Sequence, residues 1–195
     1  MKDKSISRII EPGLTLVTGG TGKTGRRVAA RLKARGVETR VASRSANPSF
    51  DWNDTDTWDA ALEGVAAAYI SYAPDLAIPG ATKLIRAFVD KAVALGVGRF
   101  VLLSGRGEEE AQACERIVQE SGVDWTIIRA SWFMQNFSEG EFLGMVLDGT
   151  ITLEFVSTRN FFSCFEYRTD GDPTQKIDST NFNPEIADGL YPYYC

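Results

Sequence analysis

The sequence predicts an α/β fold: a doubly wound, Rossmann-like parallel sheet. Three observations predict it. Strand-like runs alternate with helix-like runs about five times between residues 13 and 135. The strand-like runs are apolar nearly throughout, as strands covered on both faces are. The first of them feeds a glycine-rich turn that opens a helix, and in such sheets ligands bind beyond the carboxyl ends of the strands.

Each element has its own signal. LTLVTGG is a short buried strand running into glycines. TGRRVAARLKARG is a helix, with Val28, Ala29 and Leu32 on one face and Gly36 as its stop. VETRVASRS is a second strand, in which Val37, Thr39 and Val41 alternate with polar residues. The short SFDW segment is read as a third, ending at Asp51 and Trp52. TDTWDAALEG is a helix bounded by a Thr/Asp start and a glycine end. VAAAYISYAP is a strand stopped by Pro74. IPGATKLIRAFVDKAVALGV is a longer amphipathic helix that groups Leu84, Ile85, Phe88 and Val89. GRFVLLSG is a strand, and EEEAQACERIVQESGV a helix with acidic residues in its first turn. DWTIIRA is the last strand of the alternating series. Residues 1–152 are thus assigned to the sheet domain and 153–195 to an irregular, aromatic-rich tail without a clear period.

Bulk composition narrows the function. A chain of 195 residues suits one domain with a real core, and 44% apolar with 24% charged residues is ordinary for a soluble protein. The formal net charge is −5 and no stretch is strongly basic, so no nucleic-acid surface is expected. No apolar run reaches membrane-spanning length, and the N-terminus lacks a signal core, which predicts a cytoplasmic protein. The three cysteines, Cys114, Cys164 and Cys195, are scattered, which argues against a disulfide framework or zinc site. There is no histidine, so neither a Ser-His-Asp triad nor a His-ligated metal can be built from this chain. No metal site is expected.

The segment LVTGGTGKTGRR carries two phosphate-binding signatures. A nucleotide-hydrolysing P-loop ending at Gly22-Lys23-Thr24 would need glycine where Val17 stands, and it fails there. Gly19, Gly22 and Gly25 instead form G-x-x-G-x-x-G between a strand and a helix, the context in which a dinucleotide turn is credible. Its glycines serve the tight turn, the approach of backbone to pyrophosphate and the packing of helix on strand. The helix N-terminus offers free N–H groups to phosphate, with Thr21, Lys23, Thr24 and Arg26 nearby. The end of the second strand chooses the coenzyme. It carries Arg44 and Ser45 rather than Asp or Glu, and an arginine there can pair with a 2′-phosphate. NADP(H) is therefore expected ahead of NAD(H), the alternative being that Arg44 is a solvated surface charge. Asp51 and Trp52 are expected to border the adenine.

Together with this turn, RVASRS, FDWNDTDTWDAAL, YISYAP, RFVLLSG and above all ERIVQESGVDWTIIRASWFMQNF resemble the NmrA-like branch of the atypical short-chain dehydrogenase/reductases. The likeness runs from about Leu14 to about Ile151. It implies an NAD(P)(H)-binding Rossmann fold. It also implies one of two roles: reduction of a small electrophile such as a quinone, or binding of the nucleotide to regulate a protein partner without catalysis. By position it puts Tyr72, Ala73 and Pro74 along the ribose and pyrophosphate, and Ser104 and Gly105 near the nicotinamide. Trp132, Phe133 and Met134 would close the cleft, with core packing as the alternative for the aromatics.

The chain departs from the superfamily twice. Where extended members show Y-x-x-x-K-x-x-A-E, aligning the glutamate to Glu115 puts Gly107 at the tyrosine and Ala111 at the lysine. The proton-transfer dyad is absent, as is common among NmrA-like proteins, so no catalytic residue is assigned. Tyr69 and Tyr72 are the conceivable donors. The likeness also stops after LDGTITL, where family members continue into a substrate lobe, so the resemblance implies a Rossmann-like domain whose substrate lobe is missing or reduced. The tail that follows here is expected to pack on the sheet edge or to remain partly disordered.

Overall fold

The first strand, β1 (Leu14–Val17), is the start of a six-stranded sheet in the computed structural model, which describes residues 13–130, 133, 135–139, 143–148 and 165–169. Helix α1 (Gly25–Ala34) leads to β2 (Thr39–Val41). A 3₁₀ turn at Thr55–Thr57 runs into α2 (Trp58–Leu62) and β3 (Val65–Ile70). Then come α3 (Ala81–Ala94), β4 (Arg99–Gly105), α4 (Glu109–Gln119) and β5 (Asp124–Ala130). The short helices α5 (Gln135–Ser138) and α6 (Leu143–Leu147) precede β6 (Phe165–Thr169).

The strand order is β2-β1-β3-β4-β5-β6, parallel from β2 through β5 and antiparallel at β6. Leaving β1, the chain first steps outward to β2 and then crosses back to β3 on the other side. The carboxyl ends of β1 and β3 therefore flank the point where the winding reverses, the position at which such sheets bind ligands. The alternation along β4 explains both faces of the sheet. Phe100 and Leu102 are fully buried with Trp58, Ile85, Phe88, Val89, Cys114 and Val118 from α2, α3 and α4. Val101 and Leu103 turn to the opposite face with Val17, Tyr69, Val28, Ala29 and Leu32, where α1 lies. Burying each large apolar side chain in this way contributes about 1.5–3 kcal/mol.

Two sequence expectations change. The third strand read at SFDW is absent from the sheet. Asp51 forms one isolated bridge with Asp54, and its Oδ1 accepts from Asn53 N at 2.9 Å, a turn that the Asp-Asn-Asp run favours. Phe50 and Trp52 enter the core instead. Trp52 lies 5.0 Å from Phe50, 6.0 Å from Trp58 and 5.0 Å from Phe88, mostly edge to face. The ordinals of the later strands therefore fall by one. The segment without a clear period supplies β6, which pairs antiparallel with β5 in the register Thr126 to Thr169 through Ala130 to Phe165. Part of the tail thus lies on the sheet edge.

Candidate coenzyme-binding site

The glycine turn is held by the ends of β1 and β3. Thr18 Oγ1 is buried. It accepts from Ser71 N at 2.9 Å and donates toward Tyr69 O and Ser71 O at 3.2 and 3.3 Å. This ties the two strands at the switch point, and nothing in the glycine spacing announces it. Gly19 follows with φ of +60°, in the left-handed region that L side chains avoid. At Gly25 a Cβ would run into Gly19 O and sit 2.7 Å from the Gly19 carbonyl carbon and 2.8 Å from Gly20 Cα. The first turn of α1 therefore touches the loop backbone with no room for a methyl group.

What the turn leaves open is a row of donors. Gly22 N bonds to Gly19 O at 2.9 Å, and Arg26 N to Gly22 O at 3.1 Å. The amides of Thr21, Lys23, Thr24 and Gly25 take no hydrogen-bond partner among the described residues. Thr24 caps α1 without a side-chain hydrogen bond, and the first turn of α1 holds no acidic residue. Unpaired amides at a helix N-terminus form an anion site. A diphosphate therefore fits the residues present.

The other expected residues fall around this edge. Gly20 N bonds to Ala42 O at 3.3 Å, which brings the turn against the end of β2. Arg44 and Ser45 follow, both exposed, and Ser45 Oγ lies 3.3 Å from Ser43 Oγ. Arg44 has no charge partner among the described residues. Asp51 is engaged by the chain itself, its carbonyl accepting from Trp58 Nε1 at 2.7 Å. Trp52 is 6% exposed and its Nε1 has no partner among the described residues. Tyr72 is half-buried against the Trp52 ring at 5.0 Å, and Ala73 and Pro74 are exposed beyond it. Phe133 is half-buried and caps α5 by accepting from Asn136 N. Trp132 and Met134 lie outside the described residues.

Ser104 and Gly105 end β4 in a setting the sequence reading passed over. Ser104 is 4% exposed and donates to Glu115 Oε1 at 2.6 Å. Glu115 is 2% exposed and receives Arg129 Nε at 2.9 and 3.1 Å and Arg129 Nη2 at 2.5 Å. This bidentate pair joins α4 to the end of β5. A signal exists: Glu115 stands on the stripe formed by Ala111, Cys114 and Val118, where an apolar residue would be routine.

Three groups titrate abnormally here. Burial and then the charge of Cys114 raise the Tyr72 hydroxyl, the opposite of what a catalytic tyrosine needs. Burial and then Glu115 push the Cys114 thiol up to about 11. Glu108 lies against Gly105, where a Cβ would sit 2.6 Å from its carboxyl carbon. Burial, then Asp75 and Glu110, raise its pKa. Folding thus favours the protonated Glu108. Its contribution is fully present below the unfolded-state pKa and is lost as pH rises through the folded one. Glu108→Gln is expected to raise Tm slightly at neutral pH and by less in acid, as followed by calorimetry.

Among the described residues no acidic, cysteine or histidine cluster is placed to hold a metal ion, and no helix is long and apolar enough to cross a membrane.

No protein-family model matches the chain. Agroclavine dehydrogenase of Claviceps fusiformis is 38% identical over 148 residues, covering 65% of this chain and 50% of the relative. Prestalk A differentiation protein A of Dictyostelium discoideum is 31% identical over 173 residues, covering 76% and 57%. The chain spans about half the length of these curated relatives. The NADPH-dependent quinone oxidoreductase of Escherichia coli, solved with NADPH, shares the fold with a TM-score of 0.56 at 20% identity, covering 69% of this chain and 53% of its own. The sheet order and the glycine turn at its switch point give the Rossmann-like fold that this neighbour shares, and the chain is a homologue, over about half their length, of curated proteins that include dehydrogenases.

Proposed function

We propose that this chain is an NADP(H)-binding, cytoplasmic, NmrA-like oxidoreductase that passes hydride to a small electrophile such as a quinone. One observation carries the coenzyme reading: the row of unpaired amides at the start of α1, on a turn bare enough for a diphosphate to approach. Thr21 to Gly25 would hold the diphosphate, Arg44 with Ser45 a 2′-phosphate, and Asp51 and Trp52 the adenine side. Tyr72, Ala73 and Pro74 would line the ribose. Ser104, Gly105 and Phe133 would border the reacting end.

The nicotinamide supplies hydride when bound. The chain's part is to orient it and exclude water. Ser104 suits an orienting task, because its hydroxyl is held by donating to Glu115 while its oxygen keeps the capacity to accept. Neither Tyr72 nor a lysine stands ready as an acid, so a substrate such as a quinone, which takes its proton from water, suits the site. Relatives named for agroclavine make ergot alkaloid intermediates a second substrate class to test.

Gly107 and Ala111, at the places of the missing dyad, favour one other reading: a nucleotide-sensing protein that acts on a protein partner without turnover. Calorimetric titration with NADPH and NADH, followed by NADPH oxidation with a panel of quinones and agroclavine, separates the two. Binding with turnover supports the reductase, and binding alone supports the sensor. Arg44→Ala is expected to weaken NADPH about tenfold or more and NADH little, consistent with one lost charge-assisted contact of about 1.5–3 kcal/mol. Equal losses for the two coenzymes would remove the preference for NADP(H), and no heat with either would end the coenzyme reading.

A further inference from the structure

The cations of the glycine turn are already engaged by a distant piece of the chain. Lys23 Nζ donates to Asn136 Oδ1 at 3.2 Å. Arg26 and Arg27, in the first turn of α1, both pair with the Glu139 carboxylate. Arg27 also donates to Lys23 O at 2.7 Å, which fixes that guanidinium over the turn. The two partners belong to one short stretch, α5 and the residue after it, more than 110 residues away in sequence. That stretch therefore spans the mouth of the site like a strap.

Glu139 does for α1 what a bound anion would do. The helix has no acid of its own in its first turn, so the positive end of its dipole and two guanidiniums face a carboxylate brought from elsewhere. A phosphate would seek the same three cations and the same helix end. Two anions repel when both occupy such a site, and the one with more charge and more acceptor oxygens displaces the other. We propose that Glu139 is an internal stand-in anion, and that a diphosphate ligand displaces the 135–139 strap from Lys23, Arg26 and Arg27. The coenzyme reading above supplies the identity of that diphosphate; the exchange itself requires an anion of this kind at the turn.

The contest is modest in size. Glu139 and the two arginines keep side-chain exposures of 27%, 50% and 31%, so water screens their pairing. Removing the carboxylate is expected to tighten diphosphate binding about two- to fivefold, and by less at high salt. The neutral replacement Glu139→Gln tests this, with Ser138→Ala as the neighbouring control. Both proteins and the wild type are titrated calorimetrically with NADPH and, separately, with inorganic pyrophosphate. Asn136→Ala, which loses the Lys23 contact alone, is expected to shift binding the same way by a smaller factor.

Tighter pyrophosphate and NADPH binding by Glu139→Gln, with Ser138→Ala unchanged, supports the exchange. Tighter pyrophosphate binding with no NADPH binding by any protein supports the exchange and removes the coenzyme reading. Unchanged affinity in Glu139→Gln overturns the proposal. Weaker affinity overturns it too, since the strap would then clamp the ligand. Absence of pyrophosphate binding in every protein also overturns it.

Discussion

Replacing Arg129 by methionine is expected to destabilise the fold by about 3–5 kcal/mol. The change leaves the Glu115 carboxylate, 2% exposed, with the Ser104 hydroxyl in place of a bidentate guanidinium. A charge taken out of water without its partner carries most of its desolvation penalty. The same principle makes the double variant Glu115→Leu with Arg129→Met informative, because exchanging a whole buried pair for apolar groups of similar volume is often neutral. The expected pattern in denaturant unfolding is a large loss for the single change and recovery of most of it in the double. A single variant within about 1 kcal/mol of wild type would show that water reaches Glu115 and that the pair joining α4 to β5 adds little.

Gly25→Ala is expected to cost stability and to abolish coenzyme binding. The added methyl meets backbone, at Gly19 and Gly20, so no side-chain rotation relieves it. Overpacking of this kind costs about 1–3 kcal/mol, and the relief available is a shift of α1 away from the turn. That shift carries the amides of Thr21 to Gly25 out of alignment. Gly22→Ala separates the two effects. Its Cβ has one near neighbour, Gly19 O at 3.1 Å, so the midpoint of denaturation should move little. The methyl still stands where backbone must approach the diphosphate, so affinity should fall. Parallel denaturant melts and NADPH titrations on both variants check the pair.

Sequence and structure agree best where the signal is local. The glycine turn is legible because the conformation at Gly19 and the approach at Gly25 depend on neighbours a few residues away. Helix α1 is legible because Val28, Ala29 and Leu32 repeat with the helical period. Strands β4 and β5 are legible because apolar runs bounded by glycine and polar residues have few alternatives. SFDW misleads because its aromatic residues look strand-like, while their burial comes from Trp58 and Phe88 rather than from a strand partner. Strand β6 escapes because its partner β5 lies far back along the chain and the five residues FEYRT carry no distinctive pattern. The site divides in the same way. The turn and Arg44 follow from spacing, whereas the Glu115 to Arg129 pair and the Glu139 contacts join residues that only the fold brings together. A charged residue on the apolar stripe of α4 is the one clue to the former, and the latter leaves none.

Strand β2 is the rim of the sheet opposite β6, and it pairs on one side with β1. It is three residues long, and Arg40, at its centre, gives its guanidinium to the carbonyls of Ala61 and Glu63 at the end of α2. So brief a row of amides, with a cation at its middle, offers poor purchase to a foreign strand, and self-templated fibre growth from that rim is disfavoured. The protein can thus carry a predominantly parallel sheet, assembled from contacts distant in sequence, without presenting its β2 border as a seed for aggregation.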